Sequence, residues 1–266
     1  MLLMWTKSAT LALALAVVRV CASPLKLNVR ATPTIYLAGD STMAKLSAPT
    51  DGWGQYLSKY VTIPVVNKAI AGRSARSFTV ENRFAEIEKL LNPNDIVVIE
   101  FGHNDGGSPN SASDNGRSDC PGTGSETCKS GKDGSVVYTF GHYVEAAAKS
   151  YIAKGASVVV SSQTPNNVWE GGKFNGSPSR FVAYAATAAK NVGEGASFVD
   201  HFQATADMYL KLGAAKTNAL FPKDHTHTSP EGADLVAQAF AEAVARDFNG
   251  TTPLKAYLKA DNPTVF

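Results

Sequence analysis

The segment Asp95-Ile96-Val97-Val98-Ile99-Glu100-Phe101 is a continuous apolar run, too short for a helix and lacking the alternation of a half-exposed strand. A strand of this kind is buried on both faces, which calls for a parallel sheet covered by helices on each side. Shorter runs of the same character occupy residues 34–38, 63–67, 157–161 and 197–200. Helical spacing appears at 53–60, 78–91, 140–154 and 180–190, with a further apolar-faced helix at 233–248. Strands separated by helices in this rhythm imply right-handed βαβ units. The expected class is α/β: a three-layer α/β/α sandwich with a five-stranded parallel sheet. The 266 residues, 44% hydrophobic, can bury one substantial core, so 32–266 is read as one domain.

Polar residues cluster where these strands stop, at the carboxyl edge where α/β sheets bind ligands. The first strand runs into Gly39-Asp40-Ser41, in which Gly39 allows a tight corner and Ser41 is left exposed as a nucleophile. A serine hydroxyl is weak alone and needs a base and donors for an oxyanion. Gly72, in Ala71-Gly72-Arg73-Ser74, allows close approach of backbone N–H groups. The strand 95–101 ends in Gly102-His103-Asn104-Asp105, where the Asn104 amide can donate to a developing oxyanion. Asp224 and His227 lie three residues apart on the loop entering the last helix, so the carboxylate can fold back onto the imidazole and orient it. Ser229 and Pro230 supply the cap and first position of that helix. Taken singly, each of these corners also satisfies the needs of an ordinary turn.

In this order, Gly-Asp-Ser, the glycine turn, Gly-His-Asn-Asp and Asp-x-x-His resemble the SGNH/GDSL hydrolase family over essentially the whole chain after residue 31. The resemblance implies a flavodoxin-like fold and a triad of Ser41, His227 and Asp224. It also implies an oxyanion hole of the Ser41 and Gly72 backbone N–H groups with the Asn104 side chain, and no cofactor or metal. The longer stretches 36–44, 71–77, 100–107 and 224–230 are similar to the fungal rhamnogalacturonan acetylesterases of that family, which deacetylate the pectic backbone by a serine mechanism. Acetylated xylan is the alternative substrate. Some fungal members carry a second disulfide near the C-terminus; this chain has no cysteine there, so its tail, 252–266, is expected to be ordered differently.

A metallophosphoesterase is the rival from another class, with Asp40, His103, Asp105, His225 and His227 as ligands, although Asp40 lacks the Asp-x-His partner that such a first strand requires. Arg73 and Arg76 beside the glycine turn, and Lys223 beside Asp224, are expected to contact an acidic polymer, since galacturonate carries a carboxylate that Arg matches with paired donors.

Lys7 followed by the apolar run 9–18 and the small residues around Ala22 read as a secretory signal peptide, 1–22, too short to span a bilayer. Residues 23–31 form a propeptide or N-terminal tail. Removing Lys7 and Arg19, the only charged residues of the first 22, from a formal charge of +2 leaves a nearly neutral chain. It offers no basic stripe for nucleic acid or a membrane surface, and a monomer is expected. Of three cysteines, Cys21 leaves with the signal, and Cys120 and Cys128 are expected to be bridged in an oxidising compartment, worth about 2–3 kcal/mol for so short a loop. The loop 106–135, rich in Gly, Ser, Asp and Asn, is the segment they would brace. Asn175 and Asn249 lie in sequons that a secreted protein can glycosylate.

Overall fold

The computed structural model describes residues 32–247 and 252–266. The proposed signal peptide, the 23–31 segment and the Asn249 sequon lie outside the described residues.

Five strands form the central sheet: β1 (Ile35–Gly39), β2 (Val65–Asn67), β3 (Ile96–Glu100), β6 (Ser157–Ser161) and β7 (Ala196–Val199). They stand in the spatial order β2-β1-β3-β6-β7, and every neighbouring pair is parallel. This is the flavodoxin-type order, in which chain direction across the sheet reverses between β1 and β3, opening a crevice at their carboxyl ends. Strands β1 and β3 are buried along their full length. Ile35, Leu37, Ile96 and Val98 point to one face, packing with Trp53 and Phe240. Tyr36, Ala38, Val97 and Ile99 point to the other, against Phe78, Phe101 and Tyr151. Two apolar faces on one strand explain why these runs are continuous rather than alternating.

One covering layer holds α1 (Ala75–Val80), α2 (Arg83–Glu88), α3 (Phe140–Ala153) and α4 (Arg180–Val192); the other holds α5 (His201–Ala219) and α6 (Pro230–Ala245). The single helix expected at 78–91 is two, because Asn82 adopts the left-handed region, φ 59°, and turns the chain between them. The expected helix at 53–60 is two short 3-10 turns. No helix was expected where α5 lies; Gly213, at φ 77°, interrupts it and breaks the apolar periodicity. Helix α6 starts as read, Ser229 accepting from the Gly232 N–H with Pro230 at the first position. The tail, 252–266, is held by burial and hydrogen bonds. Leu254 is buried, Thr62 N–H donates to the Tyr257 carbonyl, Lys259 N–H donates to Tyr60, and the Val265 and Phe266 N–H groups donate to Glu242.

The loop after β3 is more ordered than its composition suggests. It contains an antiparallel hairpin of β4 (Thr127–Lys129) and β5 (Val136–Tyr138), and Cys128 on β4 is bridged to Cys120. Arg76, only 4% exposed, donates to Asp114 at 3.0 Å and to the Ser118 carbonyl at 2.8 Å. The Ser130 hydroxyl completes the Asp114 shell at 2.6 Å. Burial pushes the Asp119 carboxyl up to about 6, against the opposing attraction of Arg180 and Arg76. An acid with a raised folded pKa holds its proton more tightly in the native state, so this contribution favours the fold below the unfolded value of 3.8 and is lost as pH rises through about 6. Asp119→Asn, neutral throughout, should therefore be more stable than wild type at pH 7, by about 1–3 kcal/mol. The advantage should vanish near pH 4 in paired melting curves; an offset independent of pH would contradict the assignment.

Candidate active site

Strand β1 delivers Ser41 through a corner built by Asp40. The Asp40 Oδ1 accepts from the Thr42 N–H at 2.9 Å and its hydroxyl at 2.8 Å, while the Asp40 carbonyl accepts from the Ala44 N–H. Gly39 is required by space, since a Cβ there would meet Met43 Sδ at 2.7 Å and the Glu100 carbonyl at 2.9 Å. Burial raises the Asp40 carboxyl, partly countered by His103.

Across the crevice, the loop before α6 returns His227 to the serine. Its Nε2 lies 2.8 Å from Ser41 Oγ, and its Nδ1 lies 2.8 and 3.0 Å from the two Asp224 oxygens. An ionised carboxylate only accepts, so Nδ1 carries the hydrogen and Nε2 is left to accept the serine proton. Desolvation acts to raise the Asp224 carboxyl, but hydrogen bonds from the His227 ring, the His227 N–H and the Thr226 N–H outweigh it and hold it at about 2. The loop is fastened on both sides: Asp51 N–H donates to the Thr228 carbonyl, and Asn167 N–H to the His225 carbonyl.

Gly72 and Asn104 sit on neighbouring loops that are stitched together. The Asn104 side-chain N–H donates to the Arg73 carbonyl at 3.1 Å, and the Ala75 N–H donates to Asp105 Oδ1 at 2.8 Å. Gly72 has φ 73°, a conformation that strains any residue with a Cβ. Ser41, Gly72, Asn104, Lys223, Asp224 and His227 line one cleft of about 500 Å³, within the usual range for small-ligand sites. A second cleft of about 340 Å³, lined by Gln163, Asn166, Glu170, Lys173 and neighbours, contains no histidine.

The expected polymer contacts divide. Lys223 lines the cleft. Arg76 does not, because its guanidinium is buried on Asp114, and Arg73 is spent on Glu81, which accepts from its Nε at 3.0 Å. Neither arginine is among the residues lining the cleft. Arg117, from the disulfide-braced loop, takes their place in the cleft lining. It lies in a stretch without periodicity or motif, so nothing in the sequence marked it. Among the described residues no three His, Cys, Asp or Glu side chains converge as metal ligands, and His225 pairs with Glu170 at 3.2 Å rather than with His227. Asn175 is exposed, and no described helix is long and apolar enough to cross a membrane.

The chain is 53% identical over 213 residues to a rhamnogalacturonan acetylesterase of Emericella nidulans, covering 79% of this chain and 84% of that one. It is 26% identical to a rhamnogalacturonan acetylesterase of Bacillus subtilis over 79% and 88% of the two chains. A crystal structure of another Bacillus subtilis protein shares the fold with a TM-score of 0.64 at 22% identity, over 82% of this chain; the chain spans 57% of that protein's length. Residues 35–240 match the model for GDSL-like lipase/acylhydrolases, from the strand that delivers Ser41 to beyond His227, and the chain belongs to that family.

Proposed function

We propose that this protein is a secreted serine esterase that removes acetyl groups from acetylated rhamnogalacturonan. The observation that carries the chemistry is the unbroken chain of hydrogen bonds from Asp224 through His227 to Ser41. The similarity to the Emericella nidulans acetylesterase supports the substrate. Secretion rests on the signal-like residues 1–22, and the exposed Asn175 is a glycan acceptor on the same reading.

Ser41 Oγ attacks the acetyl carbonyl as His227 Nε2 takes its proton, and Asp224 stabilises the imidazolium that forms. The negative charge that grows on the carbonyl oxygen is met by the Ser41 and Gly72 backbone N–H groups and the Asn104 side chain. His227 then gives its proton to the departing sugar hydroxyl, leaving acetyl-Ser41. Water, deprotonated by His227, attacks that ester. The bond to Ser41 Oγ then breaks, His227 returns its proton to that oxygen, and acetate is released.

Acetate release from a panel of acetylated polymers tests the whole reading: rhamnogalacturonan should be the better substrate, and a clear preference for acetylated xylan would replace it. Ser41→Ala should abolish turnover while the melting temperature stays near that of wild type. Asn104→Ala should lower kcat by about 100- to 1,000-fold, and an unchanged kcat would leave Asn104 as a turn residue.

The pH profile gives a separate check. Because the Asp224 carboxyl is held at about 2, it stays ionised from neutrality down through the ordinary carboxylate range. The acid-side loss of kcat/KM for a stable neutral acetate ester should then carry no proton belonging to Asp224 above about pH 4. A proton in that limb above about pH 4 that persists in Asp119→Asn and is lost in Asp224→Asn would mean that Asp224 is not held ionised as the orienting anion.

A further inference from the structure

Arg117 and Lys223 are exposed side chains whose cationic ends have no carboxylate partner among the described residues, although both line the cleft that holds Ser41. Arg73 and Arg76, expected beside the same glycine turn, are instead held by Glu81 and Asp114. Only one acidic side chain lines the cleft, Asp224, and its charge is already committed to His227. The cleft therefore presents net positive charge to whatever enters it.

Arg117 is held there deliberately by its loop. Asp114 and Ser118, on either side of it, are both clamped by the buried Arg76. Asp119 N–H donates to the Asp105 carbonyl, and Ser118 Oγ to the Gly106 carbonyl. Gly116 and Arg117 close tight turns onto the Asp114 and Asn115 side chains. The disulfide follows directly at Cys120. With its neighbours pinned, the Arg117 guanidinium stands over the oxyanion-side glycine, its Nη1 3.7 Å from the point a Gly72 Cβ would occupy. Lys223 approaches from the opposite loop, next to Asp224.

We propose that Arg117 and Lys223 form a carboxylate clamp that reads the uronate groups of the polymer around the scissile acetyl ester. This deepens the acetylesterase reading above and rests on it. A planar guanidinium on a fixed loop binds a carboxylate through two parallel N–H donors, whereas the lysine supplies an adjustable point charge for a neighbouring uronate along the chain. Both contacts are solvent-exposed, so their contribution is moderate and falls with salt.

The test compares acetate release from acetylated rhamnogalacturonan and from the same polymer with its carboxyl groups chemically reduced to alcohols. Wild type should favour the acidic polymer in kcat/KM. Arg117→Gln should lower that preference about 2- to 5-fold, and Arg117→Gln with Lys223→Gln should remove most of what remains. The wild-type preference should shrink between low and high salt, while that of the double variant should stay flat. Binding of the acidic polymer to Ser41→Ala protein, with and without the clamp substitutions, gives a readout free of turnover. Equal proportional losses on the acidic and reduced polymers, or an undiminished preference in the double variant, would overturn the clamp and leave the esterase reading intact. A wild-type protein that releases no acetate from rhamnogalacturonan would overturn both.

Discussion

A buried carboxylate, Glu100, ties together the layers on which the site stands. It ends β3 and is 1% exposed, so its charge must be met inside the protein. Trp53 Nε1 donates to it at 2.8 Å, Ser161 Oγ donates at 2.5 Å, and His201 Nδ1 meets it at 2.8 Å. The far side of the His201 ring faces the Val236 carbonyl at 3.0 Å. One side chain thus joins the turn after Ser41, the neighbouring strand, α5 and α6. In the sheet register Gly39 lies opposite Glu100, so the corner that carries Ser41 rests on a saturated polar network rather than on apolar contacts alone. Removing one member would leave the others buried and unpaired, which is why such networks hold a single geometry.

Above that network, two loops of opposite character complete the cleft. The 224–229 loop is short and closes on itself through Asp224, whose Oδ1 accepts two backbone N–H groups as well as a ring contact. The carboxylate that orients the histidine also shapes the turn that delivers it, so local geometry and chemistry are one interaction. The long loop after β3 has few apolar side chains to bury. It gains order from Arg76, Asp114, Ser130 and the disulfide instead. Desolvating the Arg76–Asp114 pair costs free energy, which extra hydrogen bonds from Ser130 and to Ser118 offset.

This division of labour separates the general chemistry from its direction toward a substrate. Ser41, Gly72 and Asn104 follow β1, β2 and β3 at the point where the strand order reverses, a position the parallel fold makes concave. Arg117 reaches the cleft from outside the sheet, on a loop whose path is set by the Arg76–Asp114 pair and the disulfide. Substrate preference can then change through the loop without disturbing the strand ends.

The sheet and the strand-end motifs were legible in the chain because both depend on local pattern. Continuous apolar runs announce strands buried on two faces, and Gly-Asp-Ser, Gly-His-Asn-Asp and Asp-x-x-His each sit within a few residues of the backbone turn that exposes them. The breaks at Asn82 and Gly213 were not legible, since a left-handed residue inside a helical pattern reveals itself only in the folded backbone. Charge was the least legible of all. Arg73, Arg76 and Arg117 are the same residue type near the same cleft, yet Glu81 captures the first, Asp114 buries the second, and the third is left facing the site. The sequence by itself determined the α/β/α sandwich and the residues at its strand ends, because those follow from short-range periodicity and turn chemistry. Which cations meet the cleft was decided only by tertiary structure, because an arginine's role depends on whether a carboxylate distant in sequence reaches it first.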